Sequence, residues 1–177
     1  MIFKPLPVAG ACLIEVEPHE DHRGFYAQSF SAREFTTHGL TATFVEGGLS
    51  YNARRGTVRG MHMQIAPHAQ AKLVRCSRGA IYDVIIDLRR ESVSYGQWVA
   101  AELSASGKTT MLHVPEGFVH GFQTLTDEVE VVYQMSAYYH PHAEVGVRWN
   151  DPRFGITWPI AEVVMSERDR SFADFRD

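Results

Sequence analysis

Short apolar-rich runs, broken by Gly, Pro, Asn, Asp or Ser, recur along nearly the whole chain. Their spacing of about 10–15 residues is typical of sandwiches, jelly rolls and barrels, and it does not fit alternating βαβ units. The sequence therefore predicts an all-β fold. The predicted strands cover residues 12–17, 43–46, 57–64, 71–77, 79–88, 96–103, 110–114, 129–135 and 145–149.

Two short helices are expected between and after these strands. Ser31 and Glu34 form a capping-box pair, and that helix should end near Gly39. Ser166 and Asp169 have the same spacing and predict a second short helix near the C-terminus. Both helices are too short to form a layer of their own, so we expect them at the periphery of the sheets.

The strand predicted at residues 79–88 contains two acids, Asp83 and Asp87. Because side chains alternate along a strand, both fall on one face together with Ile81 and Ile85. The pattern predicts a sheet face that is partly exposed to water.

Composition limits the class of protein. A length of 177 residues, with no internal repeat and no Pro-, Gly- or Ser-rich linker, predicts one domain over residues 1–177. The net charge of −4 argues against a nucleic-acid partner bound through bulk positive charge. No run approaches the roughly 20 apolar residues of a membrane span. The N-terminus lacks a signal-peptide core and there are only two cysteines, so we expect a cytoplasmic protein.

Four polar residues stand out because they interrupt apolar segments: His62, Lys72, His120 and Tyr133. Each has an ordinary structural explanation as a packed or edge residue. Histidine is also the natural general base near neutral pH, and a lysine in an apolar strand could face an anion. These four are candidates for chemistry, and no one of them is decisive alone.

Metal binding is the competing use of nine histidines. A metal-binding cupin is expected to carry a His-x-His pair on a strand, but Gln64 stands two residues after His62. The only His-x-His motif is His140–His142, in an expected loop with Pro141 between the two histidines. The sequence therefore predicts no metal site.

Taken together, the polar segments resemble the dTDP-4-dehydrorhamnose 3,5-epimerase family, a branch of the jelly-roll cupins. The resemblance runs over about residues 3–170. Its pieces are Asp21-x-Arg23-Gly24, Arg59-Gly-Met-His62-Met-Gln64, Gln70-Ala-Lys72-Leu-Val, residues 79–89, Pro115 to Phe122, Tyr133, Tyr138-Tyr139, Trp149 to Pro152, Ile156 to Pro159 and Ser166-x-x-Asp169. The order and spacing of these pieces are specific, whereas each piece alone is weak.

The resemblance implies a cupin-type jelly-roll β-sandwich that epimerises a nucleotide-linked 4-keto-6-deoxyhexose at C3, or at C3 and C5. It implies that His62 is the base and that Asp169 orients it. Tyr133 is implied as the acid on the opposite face, and Lys72 as the cation facing the oxyanion on O4. His120 is implied as a sugar contact, and the resemblance implies no cofactor.

The resemblance also implies how the nucleotide is held. Arg23 and Arg59 match residues that bind the diphosphate and the sugar, and Tyr138 matches an aromatic that stacks on the base. The Arg23 segment is expected to reach into the neighbouring subunit, which implies a homodimer with an exchanged N-terminal strand. Gln28 and Arg168 stand at further substrate-binding positions, where many family members carry Glu and Lys.

The chain departs from the family where the base is recognised. It has Glu46-Gly47-Gly48 in place of the common Gln-x-Asn. A carboxylate accepts hydrogen bonds but cannot donate them, so Glu46 suits a base with an amino group, unless the base is held more loosely. A dTDP sugar is the leading prediction, with CDP and GDP sugars as alternatives. Two other functions stay open: a metal-dependent cupin oxygenase or isomerase, and a non-catalytic nucleotide-sugar-binding cupin.

Overall fold

The computed structural model describes residues 1–106 and 110–176. Residues 107–109 and 177, which the predicted domain of 1–177 includes, lie outside the described residues. The described residues form 13 strands and two short helices. In chain order these are β1 Ile2–Pro5, β2 Cys12–Glu15, β3 His19–Asp21, β4 Gly24–Tyr26, α1 Ala32–Thr37, β5 Glu46–Asn52, β6 Val58–Gln64, β7 Lys72–Arg78, β8 Ala80–Asp87, β9 Trp98–Ser104, β10 Thr110–Val114, β11 Phe118–Thr124, β12 Val129–Met135, β13 Glu144–Gly146 and α2 Glu167–Arg170.

Two antiparallel sheets make up the body of the protein. One has six strands in the order β1-β2-β10-β7-β12-β5, and the other has five in the order β13-β6-β11-β8-β9. Strands β3 and β4 form a separate hairpin. The two main sheets mix strands that are distant in the sequence, as in a jelly roll, so the predicted cupin-type jelly-roll β-sandwich is confirmed.

The core consists of the side chains that fill the space between the sheets. Val74 of β7 and Val131 of β12 meet Ile85 of β8 and Phe122 of β11 there, all almost completely buried. A second apolar cluster around Phe35 packs α1 against the outer face of the six-stranded sheet. Burial of apolar surface contributes about 25 cal/mol per Å² to the free energy of folding, so these two clusters are the main stabilising contribution.

The N-terminal caps of both helices match the sequence prediction. The Ser31 hydroxyl accepts a hydrogen bond from the Glu34 amide, and the Ser166 hydroxyl accepts one from the Asp169 amide. Each hydroxyl thereby satisfies an N–H that has no partner within its helix. The second cap has a further consequence, because it fixes the position of the Asp169 backbone.

The prediction for Asp83 and Asp87 was wrong. Both side chains are completely buried, and neither lies on a wet face. Asp87 accepts hydrogen bonds from the Arg89 guanidinium and from the hydroxyls of Ser92 and Ser94. Although burial opposes ionisation of Asp87, these hydrogen bonds outweigh it and lower the pKa of the carboxyl to about 2.

Several strands differ from the sequence prediction. The strand expected at residues 43–46 begins only at Glu46 and continues as β5 to Asn52. The strand expected at residues 145–149 is the shorter β13. Strands β1, β3, β4 and β11 were not predicted, although β11 is buried along its whole length. No helix among residues 1–106 and 110–176 is long and apolar enough to cross a membrane.

Candidate active site

A cavity of about 450 Å³ is lined by residues of both main sheets and of α2. It contains most of the residues that the sequence singles out. Strands β7 and β12 contribute Lys72 and Tyr133, and strands β6 and β11 contribute His62 and His120. The remaining lining residues are Ser50, Arg59, Phe122, Ser166, Arg168 and Asp169.

The histidine and the tyrosine reach this cavity from opposite sheets. His62 belongs to the five-stranded sheet and Tyr133 to the six-stranded sheet. A planar ligand bound between the sheets would therefore present one face to His62 and the other to Tyr133. This is the arrangement that inversion at a carbon requires, because one group must remove a proton and another must add one from the far side.

His62 and Asp169 form a hydrogen-bonded pair. Nε2 of His62 donates to Oδ1 of Asp169 over 2.8 Å, and the Gly60 amide donates to Oδ2 over 3.2 Å. Burial opposes ionisation of Asp169, but the hydrogen bonds from His62 and Gly60 prevail and lower the pKa of the carboxyl. An ionised carboxylate only accepts hydrogen bonds, so the proton of neutral His62 lies on Nε2 and Nδ1 carries the free lone pair.

A second carboxylate, Glu144 on β13, faces that free nitrogen. Its Oε1 lies 3.8 Å from Nδ1 of His62. Its Oε2 accepts hydrogen bonds from the Tyr139 hydroxyl at 2.6 Å and from the Arg168 guanidinium at 2.9 Å. Burial opposes its ionisation, yet these hydrogen bonds outweigh it and lower the pKa of Glu144. A negative charge therefore stands next to the nitrogen that can accept a proton.

Lys72 and Tyr133 lie on neighbouring strands of the six-stranded sheet and point to its inner face. Burial lowers the pKa of the Lys72 amine, although the charges of Glu144 and Asp83 oppose that effect. Burial raises the pKa of Tyr133 far above its usual value. Tyr133 is therefore held as a neutral phenol with a proton to give.

His120 on β11 lies next to a buried acid, Asp83. Its Nε2 lies 2.8 Å from Oδ1 of Asp83, and both side chains are buried. The rings of His120 and Tyr133 approach edge to face across the cavity, with their centroids 6.5 Å apart. His120 therefore forms part of the cavity floor between the two sheets.

Two glycines bring His62 and His120 together. The two histidines are directly paired across β6 and β11, and the register shifts immediately after them. Gly60 has φ +126°, and a Cβ there would lie 2.6 Å from Cα of Gly121. A Cβ on Gly121 would lie 2.8 Å from the Arg59 carbonyl oxygen. The backbones approach too closely for any other residue at either position.

Glu46 and Tyr138 lie in neighbouring segments but are not among the residues that line the cavity. Oε2 of Glu46 accepts a hydrogen bond from the Tyr139 amide at 2.9 Å, so this carboxylate fixes the segment that carries Tyr138. The amide of Gln64 holds the same segment by donating to the Tyr138 carbonyl at 3.1 Å. The Tyr138 side chain is 67% exposed and is free to contact a ligand.

Arg23 and Gln28 are not brought to this cavity by their own chain. Arg23 lies in the turn of the β3–β4 hairpin, where it is exposed and pairs with Asp21. Gln28 lies beside a separate shallow depression with His19 and Tyr26.

Three residues of the site were missed by sequence reasoning. Glu144 and Ser50 have no local signal, because an acid beside a predicted strand and a serine in a polar segment are common. Asp83 did have a signal, since it interrupts an apolar run in phase with Ile81 and Ile85. Among the described residues, no group of three or more His, Cys, Asp or Glu is arranged to hold a metal ion.

Comparison with known proteins supports this description. A family profile described as dTDP-4-dehydrorhamnose 3,5-epimerase matches residues 5–177. The enzyme of that name from Sinorhizobium fredii is 41% identical over 172 residues, which cover 97% of this chain and 88% of the relative.

Solved structures are similar over almost the whole chain. The dTDP-4-dehydrorhamnose 3,5-epimerase of Bacillus anthracis, solved with TDP and PPi bound, has a TM-score of 0.94 and 39% identity, and the match covers 98% of this chain and 99% of that one. A 3'-monoepimerase of Streptomyces bikiniensis in complex with dTDP-quinovose has a TM-score of 0.89 and 33% identity, over 97% and 86% of the two chains.

The jelly roll and the two-sided cavity with its histidine–carboxylate pair thus define a carbohydrate epimerase. The chain belongs to the dTDP-4-dehydrorhamnose 3,5-epimerase family, as its profile match and its relatives show.

Proposed function

We propose that this protein inverts C3, or C3 and C5, of a dTDP-linked 4-keto-6-deoxyhexose. The observation that carries the proposal is the placement of His62 and Tyr133 on opposite sheets of one cavity. Nδ1 of His62 removes the proton from the carbon next to the C4 carbonyl. Tyr133 then gives its proton to the same carbon from the other face, which inverts the centre.

The intermediate in this reaction is an enolate. When His62 takes the proton, the electron pair of the C–H bond moves towards the carbonyl and leaves negative charge on O4. Lys72 lines the cavity and supplies the cation for this oxyanion. His120 lines the same cavity and contacts the sugar. Asp169 stabilises the imidazolium through Nε2. Only protons move, so the step needs no redox cofactor.

Arginines at the cavity supply donors for the diphosphate. Arg59 is held by Asn52, whose amide oxygen accepts from its Nε at 2.6 Å, and Arg168 is held by Glu144. Guanidinium groups pair well with phosphate oxygens. We assign the base to the side of Glu46 and the exposed Tyr138 ring, and the relatives that bind TDP or dTDP-quinovose favour thymine.

We propose that two chains form a dimer in which Arg23 and Gln28 enter the partner's site. Strand β5 is an edge strand, and its outward side chains Leu49 and Tyr51 are 63% and 51% exposed. The β3–β4 hairpin also exposes large apolar side chains, including Phe25 at 59%. An open strand edge next to exposed apolar residues favours pairing with a second chain.

Mixing two impaired variants tests this dimer. In an exchanged dimer of Arg23→Ala and His62→Ala chains, one of the two sites has an intact His62 and receives an intact Arg23. After unfolding and refolding a 1:1 mixture, about a quarter of wild-type activity should return, since half of the dimers are mixed and each has one good site. A mixture of Lys72→Met and His62→Ala chains should recover nothing. Equal recovery in both mixtures, or in neither, would contradict the exchange.

Proton NMR in D2O tests the activity itself. The protein is incubated with dTDP-, CDP- and GDP-linked 4-keto-6-deoxyglucose in parallel. Deuterium at C3 and C5 indicates a 3,5-epimerase, and deuterium at C3 alone indicates a 3-epimerase. We expect the dTDP sugar to react fastest. Binding without exchange for all three sugars would instead identify a non-catalytic nucleotide-sugar-binding protein.

The proposed location is the cytoplasm. Cys12 and Cys76 are both buried and unpaired, and burial raises the pKa of each thiol. This state suits a reducing compartment. Cell fractionation followed by immunoblotting checks the location, and recovery outside the cytoplasmic fraction would contradict it.

A further inference from the structure

The Tyr133 hydroxyl shares a hydrogen bond with Ser50, a residue that the proposed reaction does not yet use. Oγ of Ser50 lies 3.0 Å from the hydroxyl oxygen of Tyr133. Ser50 lies on β5 opposite Val131, and Gly48, which has no side chain, lies opposite Tyr133. The serine therefore reaches Tyr133 diagonally across the two strands, and it lines the same cavity.

The direction of this hydrogen bond determines whether Tyr133 can act as an acid. Either hydroxyl can donate in the arrangement observed. If Tyr133 donates to Ser50, its proton points away from a bound ligand. If Ser50 donates, the Tyr133 oxygen accepts and the phenol proton is free to point into the cavity. Only the second arrangement is compatible with proton transfer to carbon.

The same hydrogen bond becomes stronger as the reaction proceeds. When Tyr133 gives up its proton, its O–H bond breaks, the new C–H bond forms and the oxygen is left as a phenolate. Burial disfavours this charge, whereas the hydrogen bond with Ser50 lowers the pKa of Tyr133 and so opposes the effect of burial. A hydrogen bond to a charged oxygen is about twice as strong as one between neutral groups.

We propose that Ser50 is a positioning residue for the acid: its hydroxyl donates to Tyr133, orients the phenol proton towards the substrate and stabilises the phenolate that forms. The inference rests on the proposed role of Tyr133. Under this proposal Ser50 affects only the second step, in which Tyr133 gives its proton to the carbon. The first step, proton removal by His62, does not involve this hydrogen bond.

The test separates the two halves of the reaction. With substrate in D2O, deuterium in recovered substrate reports proton removal and return by His62, and epimerised sugar reports protonation by Tyr133. In Ser50→Ala we expect inversion to slow about 10- to 100-fold while exchange continues, so the ratio of exchange to inversion rises. Ser50→Thr keeps the hydroxyl and should restore the ratio.

Two further variants make the result specific. Ser77→Ala removes a β7 hydroxyl that bonds to Glu130 instead of Tyr133, and it should leave the ratio unchanged. In a Tyr133→Phe background, Ser50→Ala should have no additional effect, because its partner is already absent. Thermal unfolding of each variant confirms that it is folded.

The outcomes distinguish this inference from the proposed function. If the wild-type protein inverts the sugar and Ser50→Ala leaves the exchange-to-inversion ratio unchanged, the inference is wrong and the function stands. An equal slowing by Ser50→Ala in the wild-type and Tyr133→Phe backgrounds also overturns it. A wild-type protein that neither exchanges nor inverts any of the three sugars overturns the proposed function, and the inference with it.

Discussion

Oε1 of Glu144 lies 3.8 Å from Nδ1 of His62, so the imidazole has a carboxylate beside each of its nitrogens. Asp169 lies within hydrogen-bond distance of Nε2, and Glu144 faces Nδ1, the nitrogen that receives the substrate's proton in the proposed reaction. Two opposite charges about 4 Å apart attract by about 1–4 kcal/mol in the dielectric range between water and a protein surface. In the proposed reaction, Glu144 thus attracts the positive charge that His62 acquires with the substrate's proton.

Replacing Glu144 with Gln should slow proton removal by His62 while the side chain at position 144 keeps nearly the same volume. The amide can still accept a hydrogen bond from Arg168 or Tyr139, but the charge is gone. We expect kcat/KM to fall about 10-fold, because the positive charge that forms on His62 when it takes the substrate's proton then has no anion beside Nδ1. Steady-state kinetics of the variant at pH 7 measures this loss.

The control for this variant is Glu167→Gln. Glu167 is exposed in the first turn of α2 and is not among the residues that line the cavity. The Glu167→Gln substitution removes the same charge and should leave kcat/KM close to the wild-type value. If both variants lower kcat/KM equally, the effect of Glu144 comes from net charge and not from its contact with His62.

Lys72→Met tests the cation proposed for the oxyanion. Methionine has similar length but no charge. We expect solvent exchange and epimerisation to fall by about 100-fold or more, which is the usual cost of losing one oxyanion contact. Calorimetric titration with TDP should give a Kd within about threefold of wild type, since Lys72 is assigned to the sugar carbonyl and not to the nucleotide. A large loss of TDP affinity would place Lys72 at the diphosphate instead.

Glu46 is predicted to act on the nucleotide through the backbone of Tyr139. Glu46→Ala removes the acceptor of the Tyr139 amide, whereas Glu46→Gln keeps an oxygen there. We expect the alanine variant to raise KM for the dTDP sugar about 3- to 10-fold at unchanged kcat, and the glutamine variant to behave like wild type. A change of preference between dTDP and CDP sugars in Glu46→Gln would show direct recognition of the base by the carboxylate.

Stability should depend on pH through His113, which is not among the cavity residues. His113 lies on β10, where burial lowers its pKa to about 4. Because its unfolded pKa is about 6.5, its contribution is complete above pH 6.5 and is lost as the pH falls towards 4, by up to about 3 kcal/mol. His113→Gln keeps an acceptor for the Thr41 amide but does not titrate. Urea unfolding measures the free energy of unfolding from pH 7 to 4.5. This free energy should fall less steeply in His113→Gln than in the wild type or in His19→Gln, a control at an exposed site.

The sequence carried a clear signal for strands whose buried faces are apolar. Strands β8 and β12 were predicted because runs of Val and Ile make their pattern unambiguous. Strand β11 was missed although it is buried throughout, because it contains His120, Gln123 and Gly121. The Gln123 side chain is satisfied by both backbone groups of Ile160, a contact that only the folded chain reveals.

The site residues also divide into those that the sequence points to and those that only the folded chain reveals. His62, Lys72, Tyr133 and Asp169, which line one cavity, were proposed as catalytic residues through a family resemblance, since each has an ordinary structural explanation when taken alone. Glu144 and Ser50 contact residues distant in the sequence, His62 and Tyr133, and no local pattern marks such pairs. Strand β5 was placed incorrectly because Gly47 and Gly48 lower its strand propensity, while its pairing with β12 compensates in the fold.

The close approach of Gly60 and Gly121 affects how mutational data on this enzyme should be interpreted. Neither residue has a functional group, yet in a saturation scan both should score as severely as His62, since any side chain would push β6 and β11 apart. A second substitution at one glycine cannot compensate for a side chain at the other. Each added Cβ would collide with main-chain atoms, which every residue has. Intolerance to substitution along these two strands therefore measures clearance between backbones as well as chemistry.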